Sequence, residues 1–553
     1  MKLRTIIYSL LFVLQFFLSC SIKDRYERLR NDPSSASPEN ANVDLYLNEA
    51  QVGVTTFLAT SIWPINDFGA QLVRMEAMFG PLYSNAFIPE NFNLPWTTAY
   101  TTIIKHNDAL IPIAKEKNLT THVGMAYILN AYTYMTLVDF FGDVPFSEAN
   151  RGIENTNPKA DGGADVYKGA IDYLDSAIAY LQITPSAAPS NDLFYAGNRT
   201  RWITAAKTLK LRAWLTTRLV NTAASKTAID ALIAENDLID TQAEEFVFRF
   251  STLQENPVSR HPKYVDTYRN TGTLGGLYVG TYFMYLLTQE KGSIDPRTRY
   301  YLYRQRTNSG GWDGQQLPCG VLPRPAHYPS DMPFCILPGG YWGRDHGNND
   351  GIPQDTDKRT VYGVYPAGGL FDNNDNKSVD QNLGGRGLGI LPLWMASFTD
   401  FAIAEAQLKL GVAGSPRTAL ENGVRKSIAR VLAFPAEAGV TVPAARIPSQ
   451  ADIDAYVNKV MALYDAGNDD QKLNVVMKEW YLALWGNGVD AYNNYRRTGK
   501  PDNMQLALSS NPGLFARSMF YPAVSADLNQ NIVQKPDVFQ KVFWDTNPDN
   551  FLK

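Results

Sequence analysis

The chain has 553 residues, 45% of them hydrophobic and 19% charged, which excludes a largely disordered or fibrous polypeptide. At that length it can hold about three or four domain-sized units and hide roughly three quarters of its unfolded surface. Lys plus Arg number 51 against 55 Asp plus Glu, a formal charge of -4, so no basic excess is available for phosphates and nucleic acid is not an expected partner.

In chain order, Lys2 and Arg4 come first as a short positive flank. Ile6 to Leu18 then runs uncharged and mostly apolar, interrupted by Ser9 and Gln15. As a helix this run is roughly 20 Å long, too short for a hydrocarbon core of about 30 Å, so residues 1–19 read as a secretory signal peptide. It closes on Phe17-Leu18-Ser19-Cys20, which resembles a bacterial lipobox with Phe17 standing where a leucine is customary. By that likeness Cys20 is acylated and becomes the new N-terminus. Each buried CH₂ contributes about 0.8 kcal/mol, so palmitate-class chains in triplicate would hold the protein on a membrane. Residues 20–41, with the stretch Pro33 to Pro38, form the expected linker behind the anchor.

Residues 42–245 are dominated by helical periodicity. Trp96, Tyr100, Ile103 and Asn107 open one helix, and Met125, Ile128, Tyr132 and Met135 mark the next. Tyr167, Ile171, Leu174, Ile178 and Leu181 follow at steps of four and three, with Asp165 placed to cap their helix. Trp202, Ala206, Leu209 and Ala213 put small residues on one face, which lets a neighbour approach closely. Consecutive amphipathic helices joined by short turns predict a mostly α fold of side-by-side pairs, as in helical-repeat proteins, although no strict 34-residue repeat is visible.

From 246 to 393 the texture changes to Gly, Pro, Asn and Asp with scattered aromatics, as in Gly310-Gly311-Trp312-Asp313-Gly314. An irregular stretch of this length usually builds a functional surface. Helices are predicted again over 394–500, at Trp394–Leu410, Ala419–Leu432, Ala451–Leu463 and Leu473–Trp485, and 501–553 reads as an irregular tail.

The usual catalytic constellations are missing from the sequence. His106, His122, His261, His327 and His346 share no metal-ligand spacing, and there is neither a G-x-S-x-G elbow nor a phosphate-binding loop. Gly384 to Gly389 reads as a tight turn. Asp372 to Asn376 alternates oxygen ligands as a calcium loop does, but Lys377 replaces the glycine and Leu383 the closing glutamate, so a solvated turn is the favoured reading over a structural calcium ion. No cofactor is expected. Cys319 and Cys335 enclose a short loop in an exported chain, where a disulfide or two buried free thiols are the alternatives.

Ala126 to Asn150, AYILNAYTYMTLVDFFGDVPFSEAN, resembles the signature helix and turn of the SusD/RagB lipoproteins, with Asp139, Phe140, Gly142, Asp143, Val144, Pro145 and Phe146 matching in place. Trp96, Tyr100 and Asn107 resemble the helix before it, and Asp295-Pro296-Arg297 a turn in mid-chain. Tyr341 to Gly347, Tyr362 to Pro366 and Asn487 to Gly499 resemble the SusD-like subgroup. Tyr521-Pro522 keeps the start of the C-terminal motif, whose customary glutamate is absent, with Ala526 and Asp527 nearby. The resemblance implies four tetratricopeptide-like helix pairs in an α-superhelical scaffold with a loop-rich irregular half. It implies a lipid-anchored place on the extracellular face of the outer membrane and a TonB-dependent SusC-type transporter as partner. It further implies capture of oligosaccharides, or in some members peptides, without cleavage; a surface glycosidase or peptidase is the rival. Sugar rings stack their C–H faces on aromatic side chains while polar groups bond the rim hydroxyls. The ligand-binding candidates are therefore Trp312, Tyr341, Trp342, Arg344, Asp345, His346 and Asn348, with Trp63 and Tyr83 from the N-terminal side. A loop-locking role for the Tyr341 to Gly347 run is the alternative.

Overall fold

A computed structural model describes residues 42–60, 64–255, 257–269, 278–307, 323–349 and 359–553. Numbering only helices of eight residues or more, the first half holds α1 (Val43–Leu58), α2 (Ile65–Leu72), α3 (Lys105–Glu116), α4 (Thr120–Phe141), α5 (Gly163–Gln182), α6 (Arg199–Thr216) and α7 (Thr222–Glu235). After α8 (Thr281–Thr288) come α9 (Ala396–Leu410), α10 (Pro416–Glu437), α11 (Gln450–Asp465), α12 (Asp469–Ala483) and α13 (Gly488–Thr498). Neighbours in sequence pack as pairs, α4 on α5, α6 on α7, α9 on α10 and α11 on α12, giving the mostly helical, TPR-like scaffold.

Their ends obey local chemistry. Asn42 accepts the Asp44 N–H at 3.0 Å to cap α1, and Asn198 accepts that of Arg201 at 3.1 Å to cap α6. α5 departs from expectation: its cap position is Gly162, and Asp165 lies in the first turn, where a carboxylate still favours the helix dipole. The heptad positions behave as read, with Tyr167, Leu174 and Leu181 buried and Ile171 and Ile178 half-buried against the core. α4 is enclosed on nearly all sides. One large apolar cluster runs from Val43 to Leu552, and Cys335 and Trp342 form a second, small one.

Strands are few and short. β1 (Phe246–Arg249) pairs antiparallel with β6 (Ile390–Trp394), so the loop-rich stretch starts and ends in one ribbon. Trp394, expected in a helix, is the last residue of β6. Within the stretch, β2 (Leu302–Arg304) pairs with β5 (Thr360–Tyr362), and β3 (Ile336–Leu337) with β4 (Tyr341–Trp342).

The end of α4 joins the scaffold to the tail. Buried Asp139 accepts hydrogen bonds from Tyr167 Oη (2.5 Å), Arg212 Nη2 (3.1 Å), Asn493 Nδ2 (2.7 Å) and Trp544 Nε1 (3.0 Å). Its backbone carbonyl accepts from Arg496 Nη2 at 2.7 Å. One carboxylate therefore ties α4, α5, α6, α13 and the tail, and four donors compensate its desolvation. α4 stops at Gly142, whose φ of 78° suits glycine. Asp143 then accepts the Gly163 N–H (2.8 Å), while its carbonyl accepts from Tyr521 Oη (2.8 Å).

Candidate ligand-binding face

Four segments converge where the loop-rich stretch meets α2. Residues 74–78 bridge to 278–280: the Ala77 N–H donates to Tyr278 O and the Gly280 N–H to Met75 O, both at 2.9 Å. The 280s bridge in turn to the Tyr341 to Gly347 run, Thr281 N–H to Arg344 O at 2.9 Å and Arg344 N–H to Val279 O at 3.1 Å. The tail joins last, through Leu508 N–H to His346 O at 2.8 Å. Backbones this close leave no room for a Cβ at Gly343, which would meet Val279 O at 1.9 Å, or at Gly280, which would meet Arg74 O at 2.2 Å.

The side chains reinforce the junction. Tyr278 lies between two guanidinium groups, Arg344 at 4.7 Å and Arg359 at 5.0 Å from its ring centroid. Arg304 sits 4.5 Å from the centroid of Tyr341 and grips Asp372 with Nε (2.6 Å) and Nη2 (3.2 Å). The first carboxylate of the calcium-like run is thus held by a guanidinium. Asp345 accepts from Gln505 Nε2 (2.7 Å) and the Cys335 N–H (3.0 Å), and burial pushes its carboxyl up to about 6. His346 Nε2 lies 3.1 Å from Tyr83 Oη, and Tyr83 Oη accepts from Arg74 Nη2 at 2.8 Å. Burial, with Arg74 nearby, holds the His346 imidazole well below its ordinary range, so it is neutral. Asn348 Oδ1 accepts a long 3.5 Å contact from Arg344.

Beneath this layer lies a buried ionic triad. Lys263 Nζ is 2.6 Å from both Asp67 and Glu76, and Tyr362 Oη donates to Glu76 at 2.5 Å. Burial pushes Asp67 up to about 8 against the pull of Lys263, with Glu76 adding to the rise. His261, two residues before Lys263, is depressed to about 3 by burial and then by that lysine.

These positions correct the expected platform. Tyr83, Tyr341, Trp342, Arg344, Asp345, His346 and Asn348 are all buried, none more than 6% exposed, so no ring face among them is open for stacking. They lock loops together because glycines 280 and 343 draw the backbones too close for a cleft. Trp63 and Trp312 lie outside the described residues, as do Cys20 and Cys319; Cys335 is disulfide-bonded. Rings that remain half-buried around the junction are Phe79, edge-on to Tyr278 at 6.0 Å, His327, edge-on to Tyr328 at 5.0 Å, and Phe334. The sequence gives these three no periodic or motif signal. Among the described residues, no group of three His, Cys, Asp or Glu is arranged to hold a metal, and no helix is long and apolar enough to cross a membrane.

Residues 38–321 match the SusD-like family model described as "Starch-binding associating with outer membrane", and residues 390–535 the one described as "Susd and RagB outer membrane lipoprotein". Among solved structures, a chitin-binding protein aligns at a TM-score of 0.67 with 20% identity, covering 92% of this chain and 100% of its own. A SusD/RagB family protein from Bacteroides thetaiotaomicron aligns at 0.67 with 19% identity, covering 92% and 100%. A chitin-binding SusD homolog from Flavobacterium johnsoniae aligns at 0.65 with 16% identity, covering 92% and 99%. No curated protein matches.

Proposed function

Since the chain belongs to the SusD/RagB family, we propose that it is a cell-surface lipoprotein that binds oligosaccharides without cleaving them and serves as the capture lid of a TonB-dependent, SusC-type outer-membrane transporter. The observation that carries this reading is the family match, which spans both the helical scaffold and the C-terminal half and whose first model is described by starch binding at the outer membrane. The lipobox ending in Cys20 and the absence of catalytic motifs from the sequence support it. So does the likeness in fold to chitin-binding proteins.

The chemistry asked of such a lid is modest. It needs flat apolar faces, short polar groups and a rigid frame, and neither a nucleophile nor a metal. The buried locks supply the rigidity, and the partly accessible rings of Phe79, His327 and Phe334 are the stacking surfaces offered in place of the buried tyrosines.

Calorimetry with neutral oligosaccharides, together with co-purification from outer membranes of cells expressing the tagged full chain, tests the reading. The expected result is saturable binding of at least one glycan and recovery of a large β-barrel partner. Binding of peptides alone would transfer the lid to a different cargo, and release of shortened sugars would make it an enzyme.

A further inference from the structure

A cavity of about 510 Å³ opens in the C-terminal segment, lined by none of the loop-junction residues and outside every motif noted in the sequence. Its volume lies within the range of about 300–1,000 Å³ usual for small-ligand pockets. Phe515 is among its lining residues and also packs edge-on against Tyr83 at 5.3 Å. Leu514, 46% exposed, and the half-buried Phe539 give it an apolar side. The polar side carries two cations, Arg517 and Lys541, and two carboxylates, Asp537 and Asp549.

The charges are already balanced. Arg517 is buried and clamps Asp545 through Nε at 2.5 Å, and its Nη1 donates to Pro548 O at 2.9 Å. Lys541 Nζ is 2.5 Å from Asp549. An anionic or cationic ligand would have to break one of these pairs. Asp537 differs: one oxygen accepts the Phe539 N–H at 2.9 Å and Gln540 Nε2 at 3.4 Å, and among the described residues nothing donates to the other. A carboxylate oxygen with spare lone pairs asks for a hydroxyl donor. Beside it, an aromatic ring and a leucine ask for C–H surface.

We propose that this cavity is a second saccharide subsite, taking an uncharged sugar unit with its C–H face on Phe539 and Leu514 and a hydroxyl donated to Asp537. The inference rests on the glycan-binding reading above and adds to it a site in the tail, adjoining the loop junction through the Phe515–Tyr83 contact. It makes Phe539 and Asp537 binding residues, with Gln540 and Lys541 supplying further hydrogen bonds at the rim.

The test uses the full chain and three probes, maltotetraose, cellotetraose and chitotetraose, followed by calorimetry and by hydroxyl-radical footprinting. Expected is protection of Leu514 and Phe539 by a bound tetrasaccharide, with affinity lowered about tenfold in Phe539→Leu and in Asp537→Asn and melting temperatures unchanged. Phe539→Leu keeps an apolar side chain where Phe539 packs against the core and removes the flat face, and Asp537→Asn keeps shape and removes the charge. A tetrasaccharide that binds the parent and both variants equally, leaving Phe539 unprotected, overturns the subsite and leaves the glycan-binding reading standing. Failure of all three probes to bind the parent overturns both.

Discussion

The helical scaffold and the loop-rich stretch between β1 and β6 are held together by different physics. In the scaffold, order comes from buried apolar helix faces: α4 buries almost its whole surface, and its partner α5 presents Tyr167, Leu174 and Leu181 at helical spacing. Among the described residues of 246–393, helices and strands are short, and apolar side chains such as Phe283 and Leu302 share the core with cations set against aromatic rings and carboxylates, as at Tyr278, Tyr341 and Asp372. The lesson concerns motifs. A run such as Tyr341 to Gly347 has the composition of a sugar platform, yet in a region with little apolar stripe the same residue types are consumed in holding loops shut.

The contrast can be broken most forcefully at the point where both regions and the tail meet. Asp139→Ala leaves the buried Arg212, Asn493 and Trp544 donors without their shared acceptor. Stability in urea should fall by about 3–5 kcal/mol, the usual cost of breaking a buried pair from one side. Within the loop-rich stretch, Tyr278→Leu removes the ring between Arg344 and Arg359 and should cost about 2 kcal/mol. Its distinguishing mark is local: limited proteolysis should accelerate near 278–281 and 341–349 while the helical far-UV signal is retained.

A third effect separates the regions by pH. His261 is depressed to about 3 and His346 lies well below the ordinary histidine range, both through burial. Depressed folded-state values mean that this stability is complete above the unfolded value of about 6.5 and is lost as pH falls through the folded ones. Each histidine can contribute a slope of up to about 1.4 kcal/mol per pH unit between those limits. His346→Gln should therefore flatten the loss of stability measured between pH 6 and pH 4. Asp345, raised to about 6, acts in the opposite sense, its contribution being present below about 4 and lost as pH rises through 6. The smallest effect is expected on the scaffold surface, where Arg417→Ala, removing the exposed pair with Asp465 at 2.8 Å, should leave the melting temperature unchanged.

Much of the scaffold was legible in the sequence because a helix writes its buried face at intervals of three and four residues. The capping of α5 was misplaced by three positions, since Asp165 carries the chemistry of a cap while the chain turns at Gly162. Trp394 extends at the end of β6, and an apolar run entering α9 has the same composition whether its first residues extend or coil. The signature turn was visible as a motif, but its purpose was not. Asp143 meets Tyr521 across 378 positions, and no local pattern encodes such a partner. The candidate site was the least legible. Burial of Tyr341 and His346 follows from backbone approach at Gly280 and Gly343, a tertiary fact carried by residues without side chains. Phe79, Phe334 and Phe539 gave no signal because a single phenylalanine in an irregular segment has no period to betray it.

Capture without conversion is the behaviour that defines such a lid. Incubating the full chain with a uniformly ¹³C-labelled neutral oligosaccharide and following the sugar by NMR examines both halves at once. Saturable broadening of the sugar resonances, with every glycosidic linkage intact after a day, is the predicted result. Sharp, unshifted resonances at high protein concentration, or the steady growth of new reducing-end signals, would contradict it.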